Sequence, residues 1–331
     1  MFGSSIGIIT LFKTWWFFLF LSVIRYNYYI MLATKDLSKT QITKFEKIIK
    51  QDYPDFIIKS IKPLKSGWDN FVLEINKTYI FRFPKKEAFN LNKEIKILDY
   101  LKGKITLEIP CYEFVGKTIK YVGYKKIIGK PLLENTLKSL NAKERNILAN
   151  DVAKFFYEFH SALLLINYRK FKLEKDSQSW RPLVIKKNVI NKIKNQELST
   201  FIENSLDKYL ELSKDKTNLV IAYNDLHGNN MAFDKKLGRL NGIFDFSDVA
   251  IEDIHREFCS LFSLDQELTI SIIKRYEKLS KRKIDISKVF ITAVVCEASI
   301  LGVFINKPES KNYKYALNDL LYLKSVYLKY I

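Results

Sequence analysis

The chain has 331 residues, enough for one two-lobed domain or two ordinary ones and too few for a large multidomain protein. Hydrophobic residues make up 47% and charged residues 27%, which excludes a disordered or fibrous chain. Three widely spaced cysteines, Cys111, Cys259 and Cys296, argue against a disulfide framework and for a reducing compartment. We interpret them as packing residues.

The formal net charge is +19, from 55 basic and 36 acidic residues, and a strongly basic chain can bind polyanions. However, only nine of the basic residues are arginine, and the lysines are spread along the whole chain. The sequence contains no RNP motif or zinc-finger pattern. We therefore expect no nucleic-acid partner.

The first thirty residues form a hydrophobic extension. Residues 6–24 carry one charge, Lys13, and are long enough to cross a bilayer as a helix. Met31 precedes a more ordinary sequence and is an alternative start of translation. If the segment is retained, the basic residues after it keep the main domain on the cytoplasmic side. We expect a cytoplasmic protein that contacts a membrane only if residues 6–24 are retained.

The next part of the chain predicts a small β-rich lobe over residues 31–127. Ser38 and Gln41 form a capping box at the start of a helix. The apolar pattern predicts the remaining elements of this lobe. These are strands over 57–64, 71–75 and 79–83, a helix over 92–101, and strands over 111–115 and 118–127.

The chain over residues 128–331 predicts a larger, mostly helical lobe. Asn141 and Glu144 form a second capping box, which opens a helix reaching residue 165. Residues 231–233 and 240–244 are short apolar strands around a turn, which predicts a β-hairpin. We therefore predict an α+β fold of two lobes without internal repeats.

Polar residues flank the predicted hairpin. Pairing of its arms places Asn230 and Asp245 together at the open end, where an amide oxygen and a carboxylate suit one Mg²⁺ ion. Asp225 lies five residues before Asn230, in a position to accept a proton from a hydroxyl that attacks a metal-bound phosphate. This spacing, followed by Asp-Phe-Ser, is the pattern of a kinase catalytic loop and metal loop.

The residues from Asp225 to Asn230, with the string Ile243-Phe-Asp-Phe-Ser-Asp248, resemble the aminoglycoside phosphotransferase and choline-kinase-like family. The resemblance spans most of residues 31–331. It implies a protein-kinase-like fold and transfer of the γ-phosphate of ATP or GTP, with Mg²⁺, to a hydroxyl of a small molecule. It also implies that Asp225 is the catalytic base and that Asn230 and Asp245 are the metal ligands.

The sequence departs from the family at one point of the catalytic loop. The family usually has His-Gly before the catalytic Asp, whereas this chain has Tyr223-Asn224. The departure raises the question of what supports the loop. It also keeps open an alternative, a catalytically silent nucleotide-binding scaffold with the same fold.

The resemblance places a nucleotide clamp in the small lobe. Arg82 occupies the position of a cation, more often Lys, that touches the α and β phosphates and is held by a helix Glu, here Glu94. A guanidinium can meet phosphate and carboxylate together. The alternative for this pair is an ordinary surface ion pair.

Two further segments complete the nucleotide site that the resemblance implies. Ser66 and Gly67 lie where the phosphate-covering turn belongs. The hinge residues Tyr124, Lys126 and Ile127 would bond the purine through their backbone.

Five carboxylates between residues 245 and 257 reverse the basic character of the chain locally. We predict that Asp248, Asp253 and Glu257 lie on the acceptor side and favour a cationic acceptor such as an aminoglycoside or amino-alcohol. The alternative is that Asp253 caps the next helix and that Glu257 is solvated.

Two histidines have open or ordinary interpretations. His227 could bind a phosphate on the acceptor side or bond a backbone carbonyl. His160 lies in a helical apolar stripe, and we interpret it as a satisfied packing residue rather than a ligand.

Overall fold

The structure is a computed structural model that describes residues 37–64, 70–85, 91–173 and 181–330. The hydrophobic segment 6–24, Met31, Ser66 and Gly67 lie outside these ranges. The chain divides into two compact units, one of Met1–Leu91 with Cys111–Lys126 and one of Asn92–Pro110 with Ile127–Ile331.

Residues 92–110, which we predicted within the small lobe, belong to the second unit. The reason is hydrogen bonding to residues that are distant in the sequence. Lys93 Nζ donates to Val249 O (3.0 Å), and Glu108 N donates to Asn241 O (2.9 Å). These bonds tie the segment to the chain around the predicted hairpin.

The first unit is a five-stranded antiparallel sheet with the strand order β1-β2-β3-β5-β4. A turn at Asn76 and Lys77, both with positive φ, joins the second and third strands and produces the predicted meander. The strands are shorter than we predicted over 57–64 and 118–127. They are β1 (Ile61–Pro63), β2 (Asn70–Ile75), β3 (Tyr79–Pro84), β4 (Tyr112–Val115) and β5 (Val122–Lys125).

Helix α1 (Lys39–Asp52) packs on this sheet. The predicted capping box is present, because Gln41 N donates to Ser38 Oγ (3.2 Å) and Ser38 N donates to Gln41 Oε1 (3.0 Å). The apolar face of the helix is buried, and Phe45 stacks on Phe83 with ring centroids 3.9 Å apart. Burial of each such side chain contributes about 1.5–3 kcal/mol to the stability of the folded state.

The second unit contains helices and two small groups of strands. The strands are β6 (Lys130–Pro131), β7 (Leu219–Ala222), β8 (Met231–Asp234), β9 (Arg239–Ile243) and β10 (Ala250–Asp253), arranged as β6-β8-β9 and β10-β7. The helices are α2 (Leu91–Leu101), α3 (Glu134–Lys138), α4 (Ala142–Ala162), α5 (Arg181–Val184), α6 (Gln196–Leu212), α7 (Cys259–Leu264), α8 (Gln266–Ser280), α9 (Ile286–Phe304) and α10 (Lys311–Ser325).

Helix α9 forms the core of the second unit. It packs against α6, α7 and α10, and 13 of its 19 residues are buried. Within the described part of the chain it is the one helix that is long and apolar enough to cross a membrane by length and composition, and 67% of that apolar window is buried. Its hydropathy therefore reflects a position inside the protein.

The predicted hairpin is formed by β8 and β9 and is held from two sides. Asp151 in α4 accepts from Arg239 Nη2 (2.8 Å) and Leu240 N (3.2 Å). On the other side Ile243 N donates to Glu108 O (2.9 Å). A Cβ at Gly242 would lie 2.5 Å from that oxygen, so this close approach requires glycine. The hairpin is thus a fixed platform for the residues at its open end.

Candidate active site

The loop after β7 brings three of the predicted site residues together. Asn230 Nδ2 donates to Asp225 Oδ2 (2.7 Å) and to the Asp225 carbonyl (2.9 Å). His227 Nε2 lies 3.4 Å from the same Oδ2. The side chain of Asp225 is 33% exposed, so this carboxylate remains accessible to a ligand.

The second predicted metal ligand follows the other arm of the hairpin. The register Met231↔Ile243 continues into a bond from Phe244 N to Asn230 O (3.1 Å), one residue before Asp245. Asp245 has a left-handed backbone (φ 72°), and its Oδ1 accepts from Ser247 Oγ (2.9 Å). A non-glycine residue in this region is uncommon and is often found at functional sites.

The carboxylates around this loop shift the pKa values of the same two side chains, His227 and Tyr223. Burial would lower the pKa of His227, but its hydrogen bond to Asp225 and the charges of Asp225, Asp245 and Asp248 outweigh burial and raise that pKa. Burial, followed by the charges of the same three aspartates, also raises the pKa of Tyr223 well above its ordinary value. Asp225, Asp245 and Asp248 therefore all act electrostatically on His227 and Tyr223.

Tyr223 supplies the support that the departure from the family pattern left open. Its buried side chain donates from Oη to Phe244 O (2.7 Å) and so connects the catalytic loop to the metal loop. Asn224 has φ 72°, a region that Asn tolerates better than most residues, and this explains how it can stand where the family has Gly. Its Nδ2 donates to Asp248 O (3.0 Å).

Glu257 lies beneath the loop, and its side chain has 0% exposure. Its carboxylate accepts from Tyr223 N (2.7 Å), Asn224 N (2.9 Å) and His160 Nε2 (3.0 Å). This position differs from the acceptor side, where we predicted it, and from the solvated alternative. Both oxygens hold the backbone that precedes Asp225.

His160 is a buried, satisfied packing residue, as we interpreted it. Its Nδ1 lies 2.9 Å from Tyr276 Oη, and its Nε2 bonds Glu257. A chain of polar contacts therefore runs from Tyr276 through His160 and Glu257 to the backbone of the catalytic loop.

Asp253 fits the capping alternative. Its carboxylate accepts from His255 N (2.9 Å) at the start of a short 3₁₀ helix, Ile254–Phe258, and lies 2.5 Å from His255 Nδ1. The side chain is therefore used to begin this helix. Of the three carboxylates that we predicted on the acceptor side, Asp248 adds its charge to those of Asp225 and Asp245 near His227.

Gly228 fixes the path of the chain between His227 and Asn230. A side chain at this position would collide with the carbonyl oxygen of Leu132. A hydrogen bond from Leu132 N to Gly228 O (2.8 Å) stabilises this close approach of the two backbone segments. Glycine is therefore required here for packing against the backbone.

The residues predicted to hold the nucleotide belong to different units. Arg82 is buried in β3 of the first unit, where its Nη1 donates to Tyr112 Oη (3.2 Å). Glu94 is buried in α2 of the second unit, where its Oε1 accepts from Phe246 N (3.2 Å), one residue after Asp245. The ion pair between Arg82 and Glu94 stays a prediction, whereas the bond from Phe246 N shows that Glu94 holds the backbone next to Asp245.

The predicted hinge residues are also divided. Tyr124 is buried in β5, and Ile127 belongs to the second unit, where it lies against Gly242. Lys126 N donates to Thr78 O (2.7 Å), so the predicted bond from the Lys126 backbone to a purine would use its carbonyl oxygen. Its Nζ forms an ion pair with Glu74.

The oxygen atoms at the open end of the hairpin suit Mg²⁺. No group of three or more His, Cys, Asp or Glu residues in the described ranges is arranged to hold a metal ion. Mg²⁺, however, commonly takes one or two carboxylates and completes its shell with substrate phosphates and water. Asn230 uses Nδ2 for Asp225, which leaves Oδ1 as its possible ligand atom beside Asp245. The residues present therefore fit this ion.

The buried support of the loop could not be predicted from the sequence patterns. Glu257, His160 and Tyr276 are far apart in the chain, and no motif connects them. The one signal was the replacement of the usual His by Tyr223, which required another arrangement to hold the loop. That arrangement became visible only when distant segments were brought together.

The β-sheet unit, the helical unit and the loop in which Asn230 bonds Asp225 are those of a phosphotransferase of the protein-kinase-like class. Residues 60–285 match the model of the phosphotransferase enzyme family, and the chain belongs to that family. The match confirms the family that the catalytic-loop pattern suggested.

Solved structures with the same fold cover most of the chain. The GDP complex of aminoglycoside 2'-phosphotransferase-IIIa is 23% identical and has a TM-score of 0.73, covering 86% of this chain and 98% of that one. The streptomycin-ATP-APH(2")-IIa ternary complex is 20% identical with a TM-score of 0.60, covering 87% and 97%. Macrolide 2'-phosphotransferase type I is 12% identical with a TM-score of 0.63, covering 87% and 98%. These similarities confirm the protein-kinase-like fold.

Proposed function

We propose that the protein transfers the γ-phosphate of ATP or GTP to a hydroxyl group of a small, positively charged molecule such as an aminoglycoside or amino-alcohol. The observation that carries this proposal is the geometry around Asp225. Its carboxylate is partly exposed and is bonded by Asn230. The family match and the nucleotide complexes of structural neighbours support the use of a nucleotide.

In this mechanism Asp225 orients the acceptor hydroxyl and takes its proton. Asn230 and His227 both approach Oδ2, so Oδ1 is the atom that meets the acceptor. The bond from Asn230 holds the carboxylate in one orientation before the substrate arrives, which reduces the reorganisation needed during transfer.

Asn230 and Asp245 would hold Mg²⁺ together with the phosphates. When bound, this ion neutralises negative charge on the transferring phosphoryl group. Tyr223 and Glu94 hold the backbone on either side of Asp245, at Phe244 and Phe246. These two bonds keep the metal ligand beside Asp225.

The positive charge of the acceptor is inferred from the local surplus of carboxylates. Asp248 adds its charge to those of Asp225 and Asp245 near the loop. A cation beside these groups gains Coulomb energy, whereas an anionic acceptor would be repelled. Kanamycin, streptomycin and gentamicin occur in complexes of structural neighbours, which supports this class of acceptor.

The test is a screen of the purified chain with ATP and with GTP against aminoglycosides, macrolides and amino-alcohols, in which mass spectrometry detects the phosphorylated acceptor. We expect Asp225→Asn to lower kcat by about 10²–10⁴-fold, the usual contribution of a general base, without loss of nucleotide binding. Asp99→Asn, at an exposed position of α2, is the matched control and should retain turnover.

If Asp225→Asn keeps most of the wild-type kcat, the role of Asp225 is wrong. If the wild-type chain binds nucleotide in a thermal-shift assay but phosphorylates no acceptor and hydrolyses no nucleotide, the silent-scaffold alternative is correct instead.

A further inference from the structure

Two cysteines that are distant in the sequence meet inside the second unit. Cys259 is the first residue of α7 and Cys296 lies in α9, and their Sγ atoms are 3.5 Å apart. Both are free thiols, with exposures of 1% and 8% respectively. They are buried, as we interpreted them, but they form a pair. Cys111 is exposed, which differs from that interpretation.

Two guanidinium groups face one sulfur of the pair. Arg256 Nη1 lies 2.9 Å and Arg181 Nη1 lies 3.3 Å from Cys296 Sγ. Arg256 Nη1 is 4.0 Å from Cys259 Sγ. Cations at these distances stabilise a thiolate, which is the nucleophilic form of cysteine. The site is therefore built asymmetrically, with the positive charge directed at Cys296.

The ionisation of the two thiols follows this asymmetry. The hydrogen bond from Cys259, and then the charges of Arg181 and Arg256, hold the pKa of Cys296 well below its ordinary value despite burial. The same hydrogen bond, together with burial, raises the pKa of Cys259. Glu297 and Tyr209 also face this group, and burial with their charged neighbours raises the pKa of each.

We propose that Cys296 and Cys259 form a peroxide-sensitive thiol pair, in which Cys296 is the reacting cysteine and Cys259 the resolving cysteine. The Cys296 thiolate attacks one oxygen of hydrogen peroxide, the O–O bond breaks, and hydroxide leaves. Sulfur is oxidised to sulfenic acid and the peroxide is reduced by two electrons. The Cys259 sulfur then attacks this sulfur, its proton goes to the leaving hydroxyl group, and a disulfide and water are formed. A dithiol reverses the reaction by exchange.

Disulfide formation would affect the support of the catalytic loop. The two sulfurs must approach from 3.5 Å to the bond length of about 2 Å. Cys259 lies two residues after Glu257, whose carboxylate holds Tyr223 N and Asn224 N. Oxidation also removes the negative charge that Arg256, the neighbour of Glu257, faces. Both changes therefore act on the segment that anchors the loop.

The test uses the full chain treated with hydrogen peroxide, followed by alkylation of the remaining thiols under denaturing conditions and peptide mass spectrometry. We expect a dithiothreitol-reversible disulfide between the peptides of Cys259 and Cys296, while Cys111 stays alkylated. Because a thiolate is required, the pair should be oxidised about tenfold faster than Cys111. Preferential oxidation of Cys111, or a pair that stays reduced, would overturn the proposal.

Single variants identify the order of reaction. In Cys259→Ser, a dione reagent should trap sulfenic acid at Cys296, whereas in Cys296→Ser the Cys259 thiol should stay reduced. Cys111→Ser is the matched control and should oxidise like the wild type. Oxidation of Cys259 at the wild-type rate in Cys296→Ser would overturn the assigned roles. If either variant does not fold, the disulfide mapping in the wild-type chain decides alone.

Hydrogen exchange tests the effect on the loop without an activity assay. We expect amide exchange in residues 223–224 to become about tenfold faster in the oxidised chain and to return after reduction. Unchanged exchange in a chain with the disulfide would refute the connection to the loop. This readout is independent of the proposed phosphotransfer, so failure of one is distinguishable from failure of the other.

Discussion

The residues around the catalytic loop form two layers: an upper layer of partly exposed side chains, and a lower layer of buried side chains that contact the loop from inside the protein. The two layers use polar residues in opposite ways. Asp225 and His227 in the upper layer are partly exposed, and their atoms remain available to a ligand. Glu257 and His160 in the lower layer are buried, and their bonds are satisfied inside the protein. The comparison teaches that the exposed residues of the loop depend on a second set of charged and polar groups that is buried beneath them.

After Asp225→Asn, the largest effect should come from a change of Asp245, the predicted metal ligand that lies at the end of the hairpin. We expect Asp245→Asn to lower kcat by about 10²-fold at a fixed Mg²⁺ concentration, because a neutral amide binds the ion less tightly than a carboxylate. Titration of Mg²⁺ should restore part of the loss, and the thermal midpoint should change little. A kcat that stays at the wild-type value at low Mg²⁺ would show that Asp245 is not a ligand.

Breaking the lower layer should affect stability as well as activity. Glu257→Ala leaves two buried backbone N–H groups without acceptors, at a cost of about 1–3 kcal/mol for each group. We therefore expect a loss of several kcal/mol in the free energy of unfolding, measured by urea denaturation, together with reduced turnover. Glu203→Ala, at an exposed position of α6, is the control. Equal stability of the two variants would contradict a supporting role of Glu257.

Glu297 is another carboxylate of the second unit, and its protonation makes the stability of the protein depend on pH. Burial, followed by the charges of Asp319 and Cys296, raises the pKa of Glu297 from 4.5 to about 8. Between these two pH values the Glu297 carboxyl group keeps its proton in the folded protein, whereas in the unfolded chain it has released it. This group lowers stability as pH rises through that window, and the loss is complete above about 8.

Substitution of Glu297 by Gln should remove this pH dependence. We expect Glu297→Gln to be more stable than the wild type at pH 8 by about 4 kcal/mol and equally stable near pH 4, as measured by thermal unfolding across the range. A variant whose stability falls with pH in parallel with the wild type would rule out titration of Glu297.

The smallest effect should come from the bond that joins the loop before Asp225 to the segment before Asp245. Tyr223→Phe removes the bond to Phe244 O and should cost about 1 kcal/mol of stability. Because this bond positions the metal loop, we expect a severalfold fall in kcat with little change in KM. Tyr315→Phe, at an exposed position, should change neither quantity. A change confined to KM would place the role of Tyr223 in substrate binding.

Local features of the fold were predictable because neighbouring residues determine them. Both capping boxes, the turn at Asn76 and Lys77, and the hairpin follow from short-range hydrogen bonding and alternation. The grouping of Asp225 and Asn230 was predictable for the same reason, since five residues separate them.

Long-range arrangements were not predictable in this way. The position of Glu257 depends on packing between the loop after β7 and the 3₁₀ helix before α7. From the sequence we predicted Glu257 on the acceptor side, because a sequence motif does not show which groups a carboxylate contacts. The membership of residues 92–110 in the second unit likewise depends on backbone pairing with the hairpin.

The composition of α9 has a consequence for how the protein is made. Its 19 residues are apolar enough to resemble a membrane span, and α10, which covers part of them, follows it in the chain. During synthesis the apolar surface of Ile286–Phe304 must wait for Lys311–Ser325 to leave the ribosome. Nascent chains that stop between these two helices would expose the apolar surface of α9. We therefore expect such chains to aggregate or to bind a chaperone.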